Sequence, residues 1–293
     1  MTNNPKVSVV ITCHNYAKYV EKAIKSVLEQ TYESIELIII NDGSTDNSLE
    51  VIKRYETDAR VKIIDRENRG TVFTRNESLR IATGDYIVQL DADDYLDLDY
   101  IQTTLTCALK NKSDVVYTNF KKFGIVSEES NFPKYSLEEL KNHNFIHISS
   151  LIHKSAVGNV QFDEELSNMT HEDWDFFLSL GVKGVKMTLC KDTFLHYRIH
   201  RTGRNNILSS HEERLRYTFV YSYITKKHSS AGTPGFDYLI GTIFADWYQM
   251  AGNEITALKK RQEDLQGELD AIKSSKTYRA LRNIARIKHF MKR

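Results

Sequence analysis

Tyr86-Ile87-Val88-Gln89-Leu90 runs straight into Asp91-Ala92-Asp93-Asp94, and Ile35 to Ile40 runs straight into Asn41-Asp42-Gly43-Ser44. Short β-branched and aliphatic runs of this kind read as strands buried on both faces, the habit of parallel sheets. Ligands of open α/β sheets collect outside the carboxyl ends of such strands. Both runs end in carboxylates, and a third acidic pair, Glu172-Asp173, lies further along. So much acid at one sheet edge suits a divalent cation and a phosphorylated substrate.

Outward from these two runs, strand-like and helix-like stretches alternate. Val7 to Ile11 reads as a buried strand, and Tyr19 to Gln30 as a helix with Val20, Ala23, Ile24, Val27 and Leu28 on one face. Leu49, Ile52 and Tyr55 mark a second helix, and Val61 to Ile64 an edge-like strand. A third helix spans Thr71 to Ala82 and stops at Gly84 as a C-terminal glycine. This order predicts an α/β fold with a mostly parallel central sheet flanked by helices. Further on, the pattern predicts a helix over Leu98 to Leu109 and strands at Val115 to Tyr117, Ile148 to His153 and Val185 to Cys190. Residues 121–147 read as a loop-rich excursion. Thr170 to Leu180 reads as a helix with Thr170 as its cap.

The chain has 293 residues, 41% hydrophobic and 27% charged, with a formal net charge of +1. That balance is ordinary for a soluble globular protein and gives no global case for nucleic acid. Three distant cysteines, Cys13, Cys107 and Cys190, with no CxxC pair, argue against a disulfide framework or zinc site and for a reducing cytosol. No targeting segment or membrane-spanning run is expected.

Asp91-Ala92-Asp93 carries the clearest chemistry. A hard cation takes oxygen ligands, so one aspartate can hold the metal while its neighbour reaches a ribose or water. The plainer alternative is a strand-to-helix turn in which Asp94 or Asp97 caps the next helix. Asp42 could accept a base N–H, or merely shape a turn capped by Ser44, Thr45 or Asp46. Asn68-Arg69-Gly70 and Arg75 open a helix where backbone can approach an anion closely, although Arg75 is also consistent with a solvated helix charge. Within His171-Glu172-Asp173-Trp174-Asp175 a carboxylate can act as general base, while acid in a first helical turn is also favoured by the helix dipole. Trp174 is either core or a sugar platform. In His196 to Arg204, a strand end and loop, His200 can approach the metal and Arg198 or Arg201 a leaving diphosphate; the alternative is surface charge.

Taken in order, Val7 to Tyr16, Ser26 to Tyr32, Asn41 to Ser44, Leu90 to Asp94 and Glu172 to Asp175 resemble the blocks of the family 2 glycosyltransferases, which have the GT-A fold. The resemblance spans about residues 5–205 and implies a nucleotide-sugar donor, usually a UDP-sugar. It implies a nucleotide lined by Thr12, His14, Asn15, Asp42, Gly70, Arg75, Asp91 and Ala92, with the ribose at Asp91. Asp93 and His200 would hold Mn²⁺ or Mg²⁺. Glu172, Trp174 and Arg198 would meet the acceptor or diphosphate, and Asp173 would deprotonate a hydroxyl of a glycan or lipid-linked acceptor, with inversion. Asn41 stands where the family often has an acid and His14 where tyrosine is common; both departures are expected to touch base recognition. The family's processive members carry membrane helices that this chain lacks, so few sugars are expected per encounter.

Two rival functions are weighed. A nucleotidyltransferase would carry a glycine-rich basic loop after the first strand, and Thr12 to Tyr16 has no glycine; a dinucleotide-binding dehydrogenase fails on the same absence. A catalytically silent sugar-binding or scaffold protein is opposed by the intact Glu172-Asp173 pair. The catalytic domain is expected over residues 1–225 and a helical region over 226–293, with an apolar helix at Tyr238 to Met250. In that region Ile255, Leu258, Gln262, Leu265, Leu269 and Ile272 form a coiled-coil-like seam able to make a homodimer or to fold back. The basic run of residues 276–293 has no acid and suits a peripheral contact with the anionic inner face of the plasma membrane. The expected location is the cytoplasm, in cell-surface polysaccharide synthesis.

Overall fold

A computed structural model describes residues 4–167, 169–200, 211–229 and 235–277; the side chains of 211–216, 218 and 235–250 fall outside the description. The chain divides into two compact units, Met1–Ser230 and Ala231–Arg293.

The first unit opens with β1 (Val7–Cys13), α1 (Val20–Leu28), β2 (Ile35–Asp42), α2 (Ser48–Lys53), β3 (Val61–Arg66), α3 (Thr71–Ile81) and β4 (Tyr86–Asp91). These pair in parallel in the order β3-β2-β1-β4, as the alternating pattern predicts. Side chains on a strand alternate between faces. Val9, Ile11, Leu37 and Ile39 accordingly join one core with Val20, Ala23, Ile24 and Val27 of α1. Val10, Ile38 and Ile40 turn to the other face. Strands buried on both sides need apolar residues at every position, and that is why the runs are continuous.

Beyond β4 the unit continues with β5 (Tyr95–Leu96), α4 (Tyr100–Asn111), β6 (Val115–Gly124), β7 (Glu128–Glu129), α5 (Leu137–Asn142), β8 (Leu151–His153), α6 (Lys154–Val157), α7 (Glu172–Val182), β9 (Met187–Ile199) and α8 (His211–His228). The sheet extends as β4-β8-β6-β9-β5 and becomes mixed. β8 is antiparallel to both β4 and β6, β9 runs parallel to β6, and β5 is antiparallel to β9. A second core of Val115, Tyr117, Ile152, Trp174, Phe176 and Phe177 lies under α7.

Four local expectations are corrected. β9 does not end at Cys190: the register slips from Thr118↔Cys190 to Asn119↔Phe194, and the bulge lets the strand resume to Ile199. The supposed loop of residues 121–147 contains the end of β6, the short β7 and helix α5, whose cap Ser136 accepts from Glu139 N at 3.0 Å. α7 is entered through His171 at φ 68°, not capped by Thr170, whose hydroxyl pairs with the His171 ring. Gly84 is no left-handed cap; a Cβ there would lie 2.7 Å from the Lys6 carbonyl, so its role is close approach to β1.

Asp175, wholly buried on α7, is met by Lys227 Nζ at 2.9 Å and His228 Nε2 at 2.8 Å, which fastens α8 within the first unit. The second unit contains α9 (Gly235–Ser274). The apolar helix expected at Tyr238 to Met250 falls within α9, its side chains outside the described set. Among the described residues no helix is long and apolar enough to cross a membrane. Of the basic run, 278–293 lie outside the described residues, as do Arg201 and Arg204.

Candidate active site

The carboxyl ends of β1, β2 and β4, the start of α3, the first turn of α7 and the far end of β9 border one cleft of about 830 Å³. Thr12, His14, Asn15, Asp42, Gly70, Arg75, Asp91, Ala92, Asp93, Arg198, His200, Glu172 and Asp173 all line it. Trp174 does not: it is buried in the second core and donates its indole N–H to the Leu140 carbonyl at 2.6 Å. Three residues past the αL entry at His171, Trp174 points inward, so no sugar platform forms there.

Asp42 ends β2 and is already surrounded. Its Oδ1 accepts from Arg66 Nη1 and from Arg69 N at 2.9 Å, and its Oδ2 from Gly70 N at 3.0 Å and Thr74 Oγ1 at 3.1 Å. A carboxylate offers about four lone-pair sites; Arg66, Arg69 N and Gly70 N take three, and the single Thr74 proton is shared with the Gly70 carbonyl at 2.8 Å. Asp42 therefore fixes the loop entering α3. Arg66, its partner in the β2–β3 register, was invisible to sequence reading without that register. Gly43 permits the closeness: at φ 67° it packs so that a Cβ would fall 2.4 Å from Asn68 N. His14 Nδ1 lies 2.8 Å from the Asp42 carbonyl, which accepts from the Nδ1–H tautomer. Asn15, in the left-handed region at φ 61°, accepts from Thr45 N at 2.7 Å and so holds the neighbouring loop. Asn41 turns away from the cleft and donates to Asp65 Oδ1 at 2.7 Å, so its departure from the family pattern bears on the β2–β3 pairing rather than on a bound base.

Arg75 is a buried hub. It donates Nη1 to Glu172 Oε1 at 2.9 Å and faces Asp91 through Nη2 at 3.4 and 3.5 Å, tying α3, α7 and β4 together. The carboxylates of Glu172 and Asp91 hold its guanidinium charged against the cost of burial. Its Nε is buried with no hydrogen-bond partner.

Asp93 and Asp94 follow. Burial, and then the charge of Asp91, push the Asp93 carboxyl up; burial pushes Asp94 up further. Asp94 caps nothing: it accepts from Arg198 N at 2.8 Å, while Asp97 accepts from Phe194 N at 3.0 Å. The bulged end of β9 thus clips onto the acidic turn. Arg198 donates Nε to the Asp93 carbonyl at 3.0 Å and its guanidinium lies 4.2 Å from the Tyr19 ring and 4.3 Å from the Phe123 ring. His200 Nε2 lies 2.8 Å from Asp93 Oδ2.

Among the described residues no group of three His, Cys, Asp or Glu is arranged to hold a metal ion. The donor chemistry of the Asp93–His200 pair nevertheless fits one. Adjacent ligands of an octahedral ion at about 2.1 Å stand roughly 3 Å apart, close to the separation of these two atoms, and such ions complete their shell with water and phosphate oxygens. The carboxylate, with water and phosphate oxygens, suits Mn²⁺ or Mg²⁺.

Asp173 lies in the first turn of α7, where Oδ1 accepts from Trp174 N at 2.8 Å and Asn144 Nδ2 at 3.2 Å. Its second oxygen has no hydrogen-bond partner among the described residues. Sequence reading missed several lining residues: Tyr19, Thr74 and the segment His147 to Ser149. None sits in a charged cluster, and only the fold brings them here.

Residues 8–167, more than half of the chain, match glycosyl transferase family 2, and the chain belongs to that family. It is 36% identical over 187 residues to a chondroitin synthase of Pasteurella multocida strain Pm70, covering 61% of this chain and 19% of that protein. It is 32% identical to an uncharacterized glycosyltransferase of Haemophilus influenzae, covering 64% and 76%. The chain thus spans about a fifth of the synthase's length. Among solved structures it is similar to Staphylococcus aureus TarS 1-349 in complex with UDP-GlcNAc (TM-score 0.62, 16% identity, covering 75% and 66%). It is also similar to the mannosyltransferase PcManGT of Pyrobaculum calidifontis in complex with GDP-Man and Mn²⁺ (TM-score 0.61, 17% identity, covering 96% and 84%). At these identities the likeness establishes the GT-A fold: a curled mixed sheet with flanking helices.

Proposed function

We propose that this glycosyltransferase moves a sugar from a nucleoside diphosphate donor, of UDP type, to a hydroxyl of a glycan or lipid-linked acceptor with inversion. The observation that carries the reading is the gathering of Asp42, Asp91, Asp93 and Asp173 on one cleft with Arg75 and Arg198. The nucleotide end is lined by Thr12, His14, Asn15, Asp42 and Gly70. Because donors surround the Asp42 oxygens, its part is to hold the Asn68–Gly70 backbone against the base. Asp91, one-third exposed, is free on one side for the ribose while Arg75 steadies the other.

Asp93 and His200 would hold Mn²⁺ or Mg²⁺, which when bound supplies Lewis-acid stabilisation of the departing diphosphate. Arg198, held between two aromatic rings, adds a fixed cation beside it. Asp173 takes the acceptor hydroxyl proton. The oxygen attacks the anomeric carbon as the bond from that carbon to phosphate oxygen breaks, and the electron pair leaves on the diphosphate. The Asp173 carboxylate is suited to this because Trp174 N and Asn144 fix one oxygen and leave the other for substrate. A UDP-type donor is supported by the likeness to TarS, whose structures include complexes with UDP and UDP-GlcNAc. The basic run of residues 276–293 supports a peripheral contact with an anionic cytoplasmic membrane face, where a lipid-linked acceptor would be met.

The test is a donor screen in the presence of Mn²⁺ that reads nucleoside diphosphate release with and without acceptor glycans. Asp173→Asn keeps the Oδ1 hydrogen bonds and removes the base. It is expected to lose about 10²–10⁴-fold in turnover with an unchanged melting temperature. Full turnover in that variant would remove Asp173 from its role.

A further inference from the structure

The second unit presents an apolar seam to water. Ile255, Leu258, Leu265, Leu269 and Ile272 of α9 are between 43% and 63% exposed, and every residue from 252 to 274 is exposed. An isolated helix gains little in water, and helical stability in proteins comes mostly from covering an apolar face. The seam repeats at 3-4-3-4-3 spacing, the period of a left-handed two-stranded coil, with Ile255, Gln262 and Leu269 at the first core position and Leu258, Leu265 and Ile272 at the second.

The flanking charges select the occupant. Residues on either side of a coiled-coil core pair across the interface and set partner and orientation. In a parallel, in-register pair each residue just before a first core position meets the residue five further along the other chain. That rule brings Glu254 to Lys259 and Glu268 to Lys273, both attractive, with Arg261 opposite the neutral Gln266. An antiparallel pair that stacks Ile255 on Ile272 and Leu258 on Leu269 instead brings Glu254 to Glu268, Arg261 to Arg261 and Lys259 to Lys273. All three are repulsive. A polar side chain at one core position, here Gln262, fixes register at some cost in stability. The same chain therefore carries both the complement for its own parallel copy and the penalty against the reversed one.

We propose that residues 255–272 pair with the same segment of a second copy of this chain, parallel and in register. The pairing stands apart from the transfer chemistry and survives or fails without it. Both basic runs of residues 276–293 then leave the coil at one end. Two weak anionic-surface contacts would act together there.

The experiment uses the full chain. Light scattering over a concentration series is expected to give a dimer that reverts to monomer in Leu258→Asp/Leu265→Asp, whose exposed positions leave the first unit untouched. Glu254→Lys/Glu268→Lys should weaken association by roughly tenfold to a hundredfold, and adding Lys259→Glu/Lys273→Glu to the same chain should restore it. For orientation, Ile272→Cys is treated with a short bismaleimide and compared with the parent chain. Parallel pairing sets the two introduced thiols side by side; the reversed pair sets residue 272 opposite 255, about 25 Å away along the helix. A monomer at every soluble concentration, a dimer that persists in the Leu→Asp variant, or no added cross-link at position 272 would each overturn the proposal.

Discussion

Arg75→Met should expose how the cleft is held together. The guanidinium is 4% exposed and Glu172 5%, so their contact is a buried ion pair. Removing one member of such a pair costs about 3–5 kcal/mol, because the other is left charged out of water. Asp91 adds little to that figure, since its side chain is one-third exposed and its contact with Arg75 is long. Glu172→Gln keeps an acceptor for Nη1 and leaves Arg75 facing Asp91, so its cost should be near 1–2 kcal/mol. In the double variant no charge is stranded, and it should be no less stable than Arg75→Met alone, a coupling of about 2 kcal/mol. Urea unfolding followed by the fluorescence of Trp174, two residues beyond Glu172, reads all four corners, provided the denaturant slope is constant. If the two single costs add to within about 0.5 kcal/mol, the pair is not a unit and the hub reading is wrong.

Three further outcomes are expected. Asp93→Ala should abolish transfer, and His200→Ala should raise the Mn²⁺ needed for half-maximal turnover by roughly tenfold or more, measured by metal titration; an unchanged Mn²⁺ response in both would separate them from the ion. His147 donates Nε2 to the Thr118 carbonyl at 3.2 Å while its Nδ1 is buried without a partner, and burial holds its pKa down to about 4 against an ordinary 6.5. The unfolded chain then binds the extra proton between pH 6.5 and 4, so stability is full above 6.5 and falls by about 3 kcal/mol as the pH drops to 4. His147→Gln, which keeps a donor and does not titrate, should flatten that part of a denaturation profile; an unchanged slope would show that His147 is not its source. Deleting residues 276–293 should remove binding to vesicles containing anionic lipid at low salt, and undiminished sedimentation with them would dismiss the membrane contact.

The parallel half of the sheet was legible because burial on both faces demands an unbroken apolar run, and β1, β2 and β4 supply one each. Helix α1 was legible for the matching reason, its buried residues falling at 20, 23, 24 and 27. What stayed hidden lacks such a signature. β9 carries exposed Lys191 and Asp192 at its bulge and half-buried polar residues after it, so its second half reads as loop. β8 is three residues long and its reversed direction is set by its neighbours, not by its own composition. The acidic residues of the cleft were found because carboxylates at strand ends stand out. Their pairings were not, since Arg75 meets Glu172 across 97 positions and Arg66 meets Asp42 only through strand register.

The cleft also explains why these acids differ in role although they share an edge. Asp42 is surrounded by donors and holds backbone in place. Glu172 is buried and accepts from Arg75, which ties α7 to α3. Asp94 is buried and accepts from Arg198 N, with burial pushing its carboxyl up, so its part is to clip the end of β9 to the turn. That leaves Asp91, Asp93 and Asp173 with oxygens open or replaceable, which under the proposed function serve a donor end, a middle and an acceptor end. The division of labour follows from hydrogen-bond occupancy rather than from residue type. Exchanging a filled acid for its amide should therefore act first on stability, and exchanging an open one should act first on turnover.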